Sequence, residues 1–527
     1  MKKESMKESM KETMKETTNE TTKEIIPGVL KILSGPEKHL VEERLKKLEN
    51  LKSKGINPFP YKYDVTDYAD SIKKKFDSIK AEEHTGKNVS VAGRIMLFRD
   101  MGKVAFLTLK DSTGQIQLYL RKNDLGADYD LVSFLDIGDF VGAKGEVFKT
   151  MKGELSIYVK SFVFLSKSLR PMPDKFHGLK DTELRYRKRH LDLIMNSETA
   201  DVFIKRIRII KAIREFLDER GFLEVETPTL QPVYGGAAAK PFTTMHNELK
   251  MKLFLKISDE LYLKRLIIGG FSKVYEIDKD FRNEGIDTTH NPEFTMLEAY
   301  WAYADYHDMM KLTEDMYEFV AKKVLGTTKS KFKGVEIDFK APWKKITMLD
   351  AIKKYVGIDA GKMSEKELAK FVNDEKIPFD KKPSWGNYVN AIFEEKCEDK
   401  FIQPTFVIDH PRESTPLCKV HREDERLIER FEPFCCGMEL ANAYSELNDP
   451  IVQRKLLEEQ AKLLRSGDEE ANPLDEDFIE AMEQGMPPTG GLGVGIDRMV
   501  MLLLGQESIR DVLFFPTMKP EKLEDKN

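Results

Sequence analysis

Hydrophobic positions change their spacing several times along the chain, and each change marks a different kind of element. Between Lys38 and Lys54, Leu40, Leu45, Leu48 and Leu51 recur at helical spacing among charged residues, which predicts an amphipathic helix stopped near Gly55. Asn57–Pro58 and Pro60 read as a linker. From Asn88 to Leu165 the period drops to two. Val89 and Val91, then Phe106, Thr108 and Lys110, then Ile116, Leu118 and Leu120 alternate, as do Phe140 to Val147 and Leu155 to Phe164. Gly102, Gly114, Gly138, Gly142 and Gly153 are expected at the turns between these strands. Five short strands in so compact a stretch predict a small closed barrel of the OB type, an architecture that often reads single-stranded nucleic acid. Helical spacing returns at Phe203, Ile207, Ile210, Ile213 and Leu217, with Gly221 as the stop. The remainder reads as one large α+β region with a helical insertion at 364–400.

The expected division is a low-complexity tail at 1–36, a helical segment and linker at 37–86, the barrel at 87–170 and the large domain at 171–520. The tail repeats Lys-Glu with Met at 6, 10 and 14, and its first 24 residues carry six Lys against six Glu. Such a balance predicts a solvated, disordered segment; an RNA-binding arm would ordinarily be basic.

Composition narrows the function classes. The 527 residues include 85 Lys plus Arg and 90 Asp plus Glu, a net charge of −5, and 41% are hydrophobic, as in soluble globular proteins. The longest apolar run, Met499 to Leu504, is far short of the ~18 residues that span a bilayer. An acid-rich start without an apolar centre resembles neither a signal nor a transit peptide, so a cytoplasmic location with no membrane partner is expected. Cys397, Cys418, Cys435 and Cys436 lack C-x-x-C spacing and predict neither a zinc site nor a disulfide framework. Residues 87–170 hold 13 basic and 9 acidic side chains, a local +4 against −9 for the rest, which suits a phosphate-bearing partner.

Three stretches carry chemistry. In Lys273 to Trp301, two alternating runs flank a polar loop; an antiparallel pair would gather Arg282, Phe294, Glu298 and Tyr300 into one patch. The bland alternative is a ladder of exposed charges on a half-buried hairpin. In Arg430 to Asn448, Glu432 and Glu439 stand seven apart. Beyond Gly437, which could bulge the strand, period two puts Asn442, Tyr444 and Glu446 on one face; a purely structural run is the alternative. Carboxylates without basic partners there call for divalent cations or a cationic substrate. The third is Gly490-Gly-Leu-Gly-Val-Gly-Ile-Asp-Arg498, with a helix beginning near Ile496. Arg498 in a first helical turn is disfavoured by the macrodipole unless an anion such as phosphate offsets it. Close packing by glycine, with Asp497 as a local cap, is the alternative.

Taken in order, Gly221-Phe-Leu-Glu-Val-Glu-Thr-Pro228, Phe281-Arg-Asn-Glu-Gly285 with His290-Asn-Pro-Glu-Phe294, and Gly491 to Arg498 resemble the three motifs of class II aminoacyl-tRNA synthetases. Within that class the match is to the lysyl-tRNA synthetases, supported by Lys175-Phe-His-Gly-Leu, Ser258 to Arg265, Ala302 to His307 and Tyr444 to Pro450. The resemblance implies a multidomain α+β fold, an OB-type barrel followed by an antiparallel synthetase sheet flanked by helices, in a homodimer. It implies ATP-dependent activation of L-lysine and its transfer to tRNA(Lys), with Mg²⁺ as cofactor. Gly236 and Glu260 would hold the lysine α-amine, Arg282 and Asn442 its carboxylate, and Glu446 and Tyr300 the ε-ammonium, with Glu298 and Tyr444 also binding lysine. ATP would lie across Arg282, Glu284, His290, Asn291, Phe294, Glu439, Leu440, Gly495 and Arg498, with Arg282 and Arg498 catalytic and Glu432 and Glu439 on the metal. In the barrel, Phe106 would stack on an anticodon base near Arg99, Gln117 and Glu154. Two departures stand out: Met438 sits where many relatives carry a basic residue, and Asn472-Pro-Leu interrupts a segment that is often more apolar. A synthetase-like protein that binds RNA without catalysis is the competing reading, and the presence of Arg282, Glu432, Glu439 and Arg498 counts against it.

Overall fold

The computed structural model describes residues 35–173, 179–468 and 470–521, so the expected Lys/Glu/Met tail to residue 34 and most of the Lys175-Phe-His-Gly-Leu stretch lie outside the described residues. The chain divides near residue 177 into two compact units.

In the first unit, helix α1 spans Gly35–Ser53 and buries Val41, Arg44, Leu48 and Leu51. The expected stripe is rotated: Leu40 is exposed. Arg44 sets the rotation, because its guanidinium donates to the carbonyls of Ser168 (3.1 Å), Arg170 (3.0 Å) and Ile137 (3.1 Å). Gly35 and Pro36, expected in the tail, belong to the first helical turn, where a missing N–H costs nothing. A second helix, α2 (Ala69–Phe76), occupies part of the expected linker.

Strands β1 (His84–Asp100), β2 (Val104–Lys110), β3 (Gln115–Arg121), β4 (Phe140–Lys149) and β5 (Leu155–Ser166) close a barrel in the order β1-β2-β3-β5-β4. Alternation places Leu107, Leu109, Ile116, Leu118 and Leu120 inside and leaves Phe106, Thr108, Gln117 and Tyr119 facing out. Gly142 is not at a turn. It lies within β4, where a Cβ would stand 2.5 Å from the Tyr63 ring, so glycine lets the preceding segment cross the barrel closely.

The second unit is built on a sheet with β6 (Leu223–Glu224), β7 (Lys273–Phe281), β8 (Glu293–Ala302), β9 (Lys344–Thr347), β10 (Thr405–Pro411), β11 (Leu427–Cys435), β12 (Met438–Glu439), β13 (Ala441–Ser445) and β14 (Thr489–Gly495). Its order is β9-β10-β11-β13-β14-β8-β7-β6, with β12 paired to β11; only the outer pairs β9/β10 and β6/β7 are parallel. One face is apolar. Leu297, Ala299, Ala441, Ala443, Leu492 and Val494 pack in one cluster with α3 (Ser197–Asp218), α5 (Tyr306–Leu325) and α6 (Ile496–Leu504). The other face carries Phe294, Glu298, Tyr300, Asn442 and Tyr444, with α4 (Glu260–Ile268) beside them.

Four expectations change here. In α3 the inward residues are Phe203, Arg206, Ile209, Ile213 and Phe216, while Ile207 is 57% exposed. Arg206 is turned inward by an ion pair with Asp497 (2.6 Å), which also accepts the Thr295 N–H (2.8 Å); Asp497 thus ties α3 and β8 together and is not a local cap. Gly437 is not a bulge. Phe434 pairs with Glu439 and Cys435 with Met438, so Cys436 and Gly437, at φ 50° and 70°, form a two-residue hairpin turn of the primed type. The helical insertion begins earlier than expected, at Met348.

Candidate active site

Strand β14 forms the floor of the site. Gly491 lies between Tyr300 of β8 and Tyr444 of β13, and Gly493 between Glu298 and Asn442. A Cβ on Gly491 would fall 1.8 Å from Glu446 Oε1 and 2.7 Å from the Tyr300 ring, so only glycine fits. A Cβ on Gly493 would meet nothing nearer than 3.8 Å, which leaves open space over the floor. Strict alternation on the two neighbouring strands turns Phe294, Met296, Glu298 and Tyr300, and Asn442 and Tyr444, toward that space.

The wall at one end is acidic and dry. Glu260, Glu298 and Glu446 are 3%, 4% and 1% exposed. Glu298 accepts hydrogen bonds from Ser258 Oγ (2.6 Å), the Asp259 N–H (3.0 Å) and Tyr300 Oη (3.0 Å). Burial, reinforced by the Asp259 and Glu260 carboxylates, pushes its pKa up to about 8. Glu260 accepts from Tyr444 Oη (2.6 Å) and pairs with Lys264 Nζ (2.5 Å), which also contacts Glu446. Burial raises the Glu446 pKa, and the Lys264 ammonium opposes the rise. Gly236, at φ 91°, brings its backbone against Ser258 and Glu260, where a Cβ would lie 2.7 Å from Ser258 Oγ. These charges are not the solvated ladder that the bland alternative described.

At the other end stand the cations. The Arg282 guanidinium lies 5.1 Å from the Phe294 ring centroid, and its buried Nε has no hydrogen-bond partner among the described residues. Arg498 donates to the Glu439 carbonyl (3.0 Å) and carboxylate (3.2 Å) and to His290 Nε2 (3.0 Å). Because a guanidinium only donates, Nε2 must accept, and the ring proton sits on Nδ1 facing Asp287 at 2.7 Å. Asn291 has both ends of its amide committed, to the Glu293 carbonyl (2.6 Å) and the Thr517 N–H (3.2 Å), so it braces the loop. Glu284 is exposed, Leu440 is buried, and Gly495 opens α6.

The expectation that the carboxylates lack basic partners is corrected: Glu432 pairs with Arg430, which also donates to Asn442 Oδ1 (2.9 Å), and Glu439 pairs with Arg498. Their surroundings remain acidic. Burial and then Glu432 raise the pKa of Glu439, and burial with Glu432, Glu394 and Glu439 pushes Glu398 up to about 8. Hard carboxylate oxygens in mutual repulsion fit a divalent cation such as Mg²⁺. Among the described residues, however, no three metal-ligating side chains converge.

On the barrel, Arg99 and Phe106 are cross-strand partners, and Gln117 donates to Ser156 Oγ (2.9 Å). Glu154 sits in the β4–β5 turn. The outer face is richer than the sequence suggested. Tyr119 lies 5.2 Å from Phe106, Tyr158 5.3 Å from Tyr119, and Phe148 5.3 Å from Tyr158, so the rings run on from strand to strand. Their parity along the strands was the available signal. Lys264 and Arg430 were missed as well, because charge spacing alone does not reveal burial.

Residues 181–519 match the family of class II tRNA synthetases (D, K and N), and residues 89–165 match the OB-fold nucleic acid binding domain. The chain is 54% identical to a lysine–tRNA ligase of Clostridium novyi, over 92% of this chain and 95% of that one. It is 53% identical to the lysine–tRNA ligases of Carboxydothermus hydrogenoformans, over 91% and 98%, and of Pelotomaculum thermopropionicum, over 93% and 97%. No described helix is long and apolar enough to cross a membrane. The chain belongs to the class II tRNA synthetases of the aspartate, lysine and asparagine group, among its lysine–tRNA ligases.

Proposed function

We propose that this site joins L-lysine to ATP as lysyl-adenylate and then passes the lysyl group to the 3′ end of tRNA(Lys). The observation that carries the reading is a glycine-floored cleft with buried carboxylates Glu260 and Glu446 at one end and Arg282, Phe294 and Arg498 at the other. Glu260 and the Gly236 backbone take the α-ammonium, and Glu446, ringed by Tyr300, Tyr444 and Glu298, takes the ε-ammonium. Arg282 and Asn442 orient the carboxylate. Aspartate or asparagine in this pocket would leave Glu446 without a cation, and a buried group left unpaired discriminates strongly, by ~10⁴ or more in favourable cases.

Adenine stacks on the Phe294 ring, which can sandwich it against a guanidinium. His290 and Arg498 face the phosphates, with Glu284 at the adenine edge, the Asn291 loop as brace, and the Leu440 and Gly495 backbone along the nucleotide. The lysine carboxylate is ionised and needs no general base. One of its oxygens attacks the α-phosphorus in line and pyrophosphate leaves, so Arg282 and Arg498 contribute by positioning and by neutralising charge. Glu432 and Glu439 would hold Mg²⁺. When bound, the metal supplies Lewis-acid stabilisation of phosphate charge. In the second step a terminal ribose hydroxyl takes the lysyl group from the adenylate, and AMP leaves. Phe106, with Arg99, Gln117 and Glu154, receives anticodon bases on the barrel.

The enzyme works in the cytosol as a homodimer through the region of Gly221 to Pro228. Exposed Ile207 and Leu223, side chains that solvent does not favour, support that surface. Sedimentation at assay concentration should give twice the chain mass, and a monomer mass would remove the dimer. Lysine-dependent exchange of labelled pyrophosphate into ATP tests the reaction; exchange driven by aspartate or asparagine would overturn the assigned substrate.

A further inference from the structure

Glu260 and Lys264 lie one turn apart on α4, a spacing that on a solvated helix gives only a weak surface pair. Here Lys264 is 0% exposed. Its Nζ stands 2.5 Å from Glu260 Oε1, touches Glu446 Oε2, and is 5.8 Å from the Tyr444 ring centroid. Burial works against the ammonium, but the Glu260 and Glu446 carboxylates outweigh it and hold the pKa above the ordinary lysine value. A fixed internal cation thus engages one oxygen of Glu446 before any substrate arrives. Neither Glu446 oxygen has a hydrogen bond among the described residues, but Oε2 is taken by the Lys264 ion pair, whereas Oε1 is turned toward Gly491 and meets no cation there. Glu446 therefore offers the cleft a single acceptor.

That matters for the shape of the ligand's cation. An ammonium is a compact point charge that one oxygen can satisfy, whereas a guanidinium is a planar fork that pairs best with both oxygens of a carboxylate. We propose that Lys264 is a specificity-determining residue: by occupying Glu446 Oε2 it makes the pocket choose a primary ammonium over a guanidinium, and so lysine over arginine. The inference rests on the reading that Glu446 receives the ε-ammonium. A cleft that rejects arginine by length alone is the rival account.

Amino-acid-dependent pyrophosphate exchange separates the two. In the unmodified protein lysine should drive exchange. Removing the cation with Lys264→Met should lower the ratio of kcat/KM for lysine over arginine by tenfold or more, while Lys264→Arg, which keeps a cation between the carboxylates, retains a high ratio. A role in packing alone would depress both substrates together, and an unchanged ratio in a folded Lys264→Met protein overturns the proposal. A second measurement needs no variant. Inhibition of lysine-driven exchange should be at least tenfold stronger for S-(2-aminoethyl)-L-cysteine, an ammonium of lysine's length, than for L-2-amino-4-guanidinobutanoate, a guanidinium of that length. Equal inhibition would overturn the proposal. Failure of lysine itself to drive exchange would instead remove the functional reading beneath it.

Discussion

The barrel and the synthetase sheet solve one problem in opposite ways. Each has one face packed as core and one face that we assign to a ligand. The ligand face of the barrel is open: its rings are largely neutral, and its charges, such as Arg99 and Glu154, lie in water. The ligand face of the sheet is closed, with Glu260, Glu298 and Glu446 almost wholly removed from solvent. An exposed reader can rely on stacking and screened charge. A buried pocket must compensate its carboxylates internally, which is why it carries Lys264 and a carboxyl whose pKa reaches about 8. Substitutions should therefore cost most in the pocket and least on the barrel.

The largest effect is expected from Glu446→Gln, which strips the pocket of a buried charge partner. The loss should be ~3 kcal/mol in kcat/KM for lysine, about 100-fold or more, with little change in KM for ATP. Exchange kinetics measure both, and an equal rise in the two KM values would refute the role of Glu446. Next is Gly491→Ala, whose methyl would collide with Glu446 and Tyr300; overpacking should cost ~2 kcal/mol, read as lost exchange in a protein that still melts cooperatively. On the barrel, Phe106→Ala should weaken charging of tRNA by ~1–3 kcal/mol, the worth of one base stack, with exchange near normal. Equal loss in both steps would erase the contrast between the two faces. The smallest effect is one of pH. Below pH 8 the raised Glu298 carboxyl is largely protonated, and binding a cation favours its ionised form. KM for lysine should fall about fivefold between pH 7 and 8 and then level off. A flat profile would show that Glu298 is already ionised at neutral pH.

Much of this contrast was legible in the sequence, because strand alternation fixes direction. Once Phe294, Met296, Glu298 and Tyr300 share a parity, they must share a face, and the glycines of β14 must lie beneath whatever faces them. Helix rotation was less legible. The leucines of α1 suggested one stripe; Leu48 and Leu51 are buried as expected, but nearer the start Val41 and Arg44, which bonds to three carbonyls, take the inward places. Arg206 does the same in α3, leaving Ile207 outward. Lys264 was hidden for a related reason: a Glu–Lys pair four apart has the same pattern on a wet surface and in a dry core, and only tertiary packing distinguishes them. The basic partners of Glu432 and Glu439 come from neighbouring positions and from another element, which no local pattern reveals.

The two-residue turn at Cys436 and Gly437 has a consequence for how this region can change. Side chains alternate strictly on either side of it, and Phe434 is held opposite Glu439. One residue more or fewer would send Glu439 to the helix-packed side, away from Arg498 and from Glu432. The segment can therefore accept substitutions over time but no insertion or deletion of a single codon, unlike the exposed β4–β5 turn at Lys152–Gly153, where an extra residue would extend into solvent.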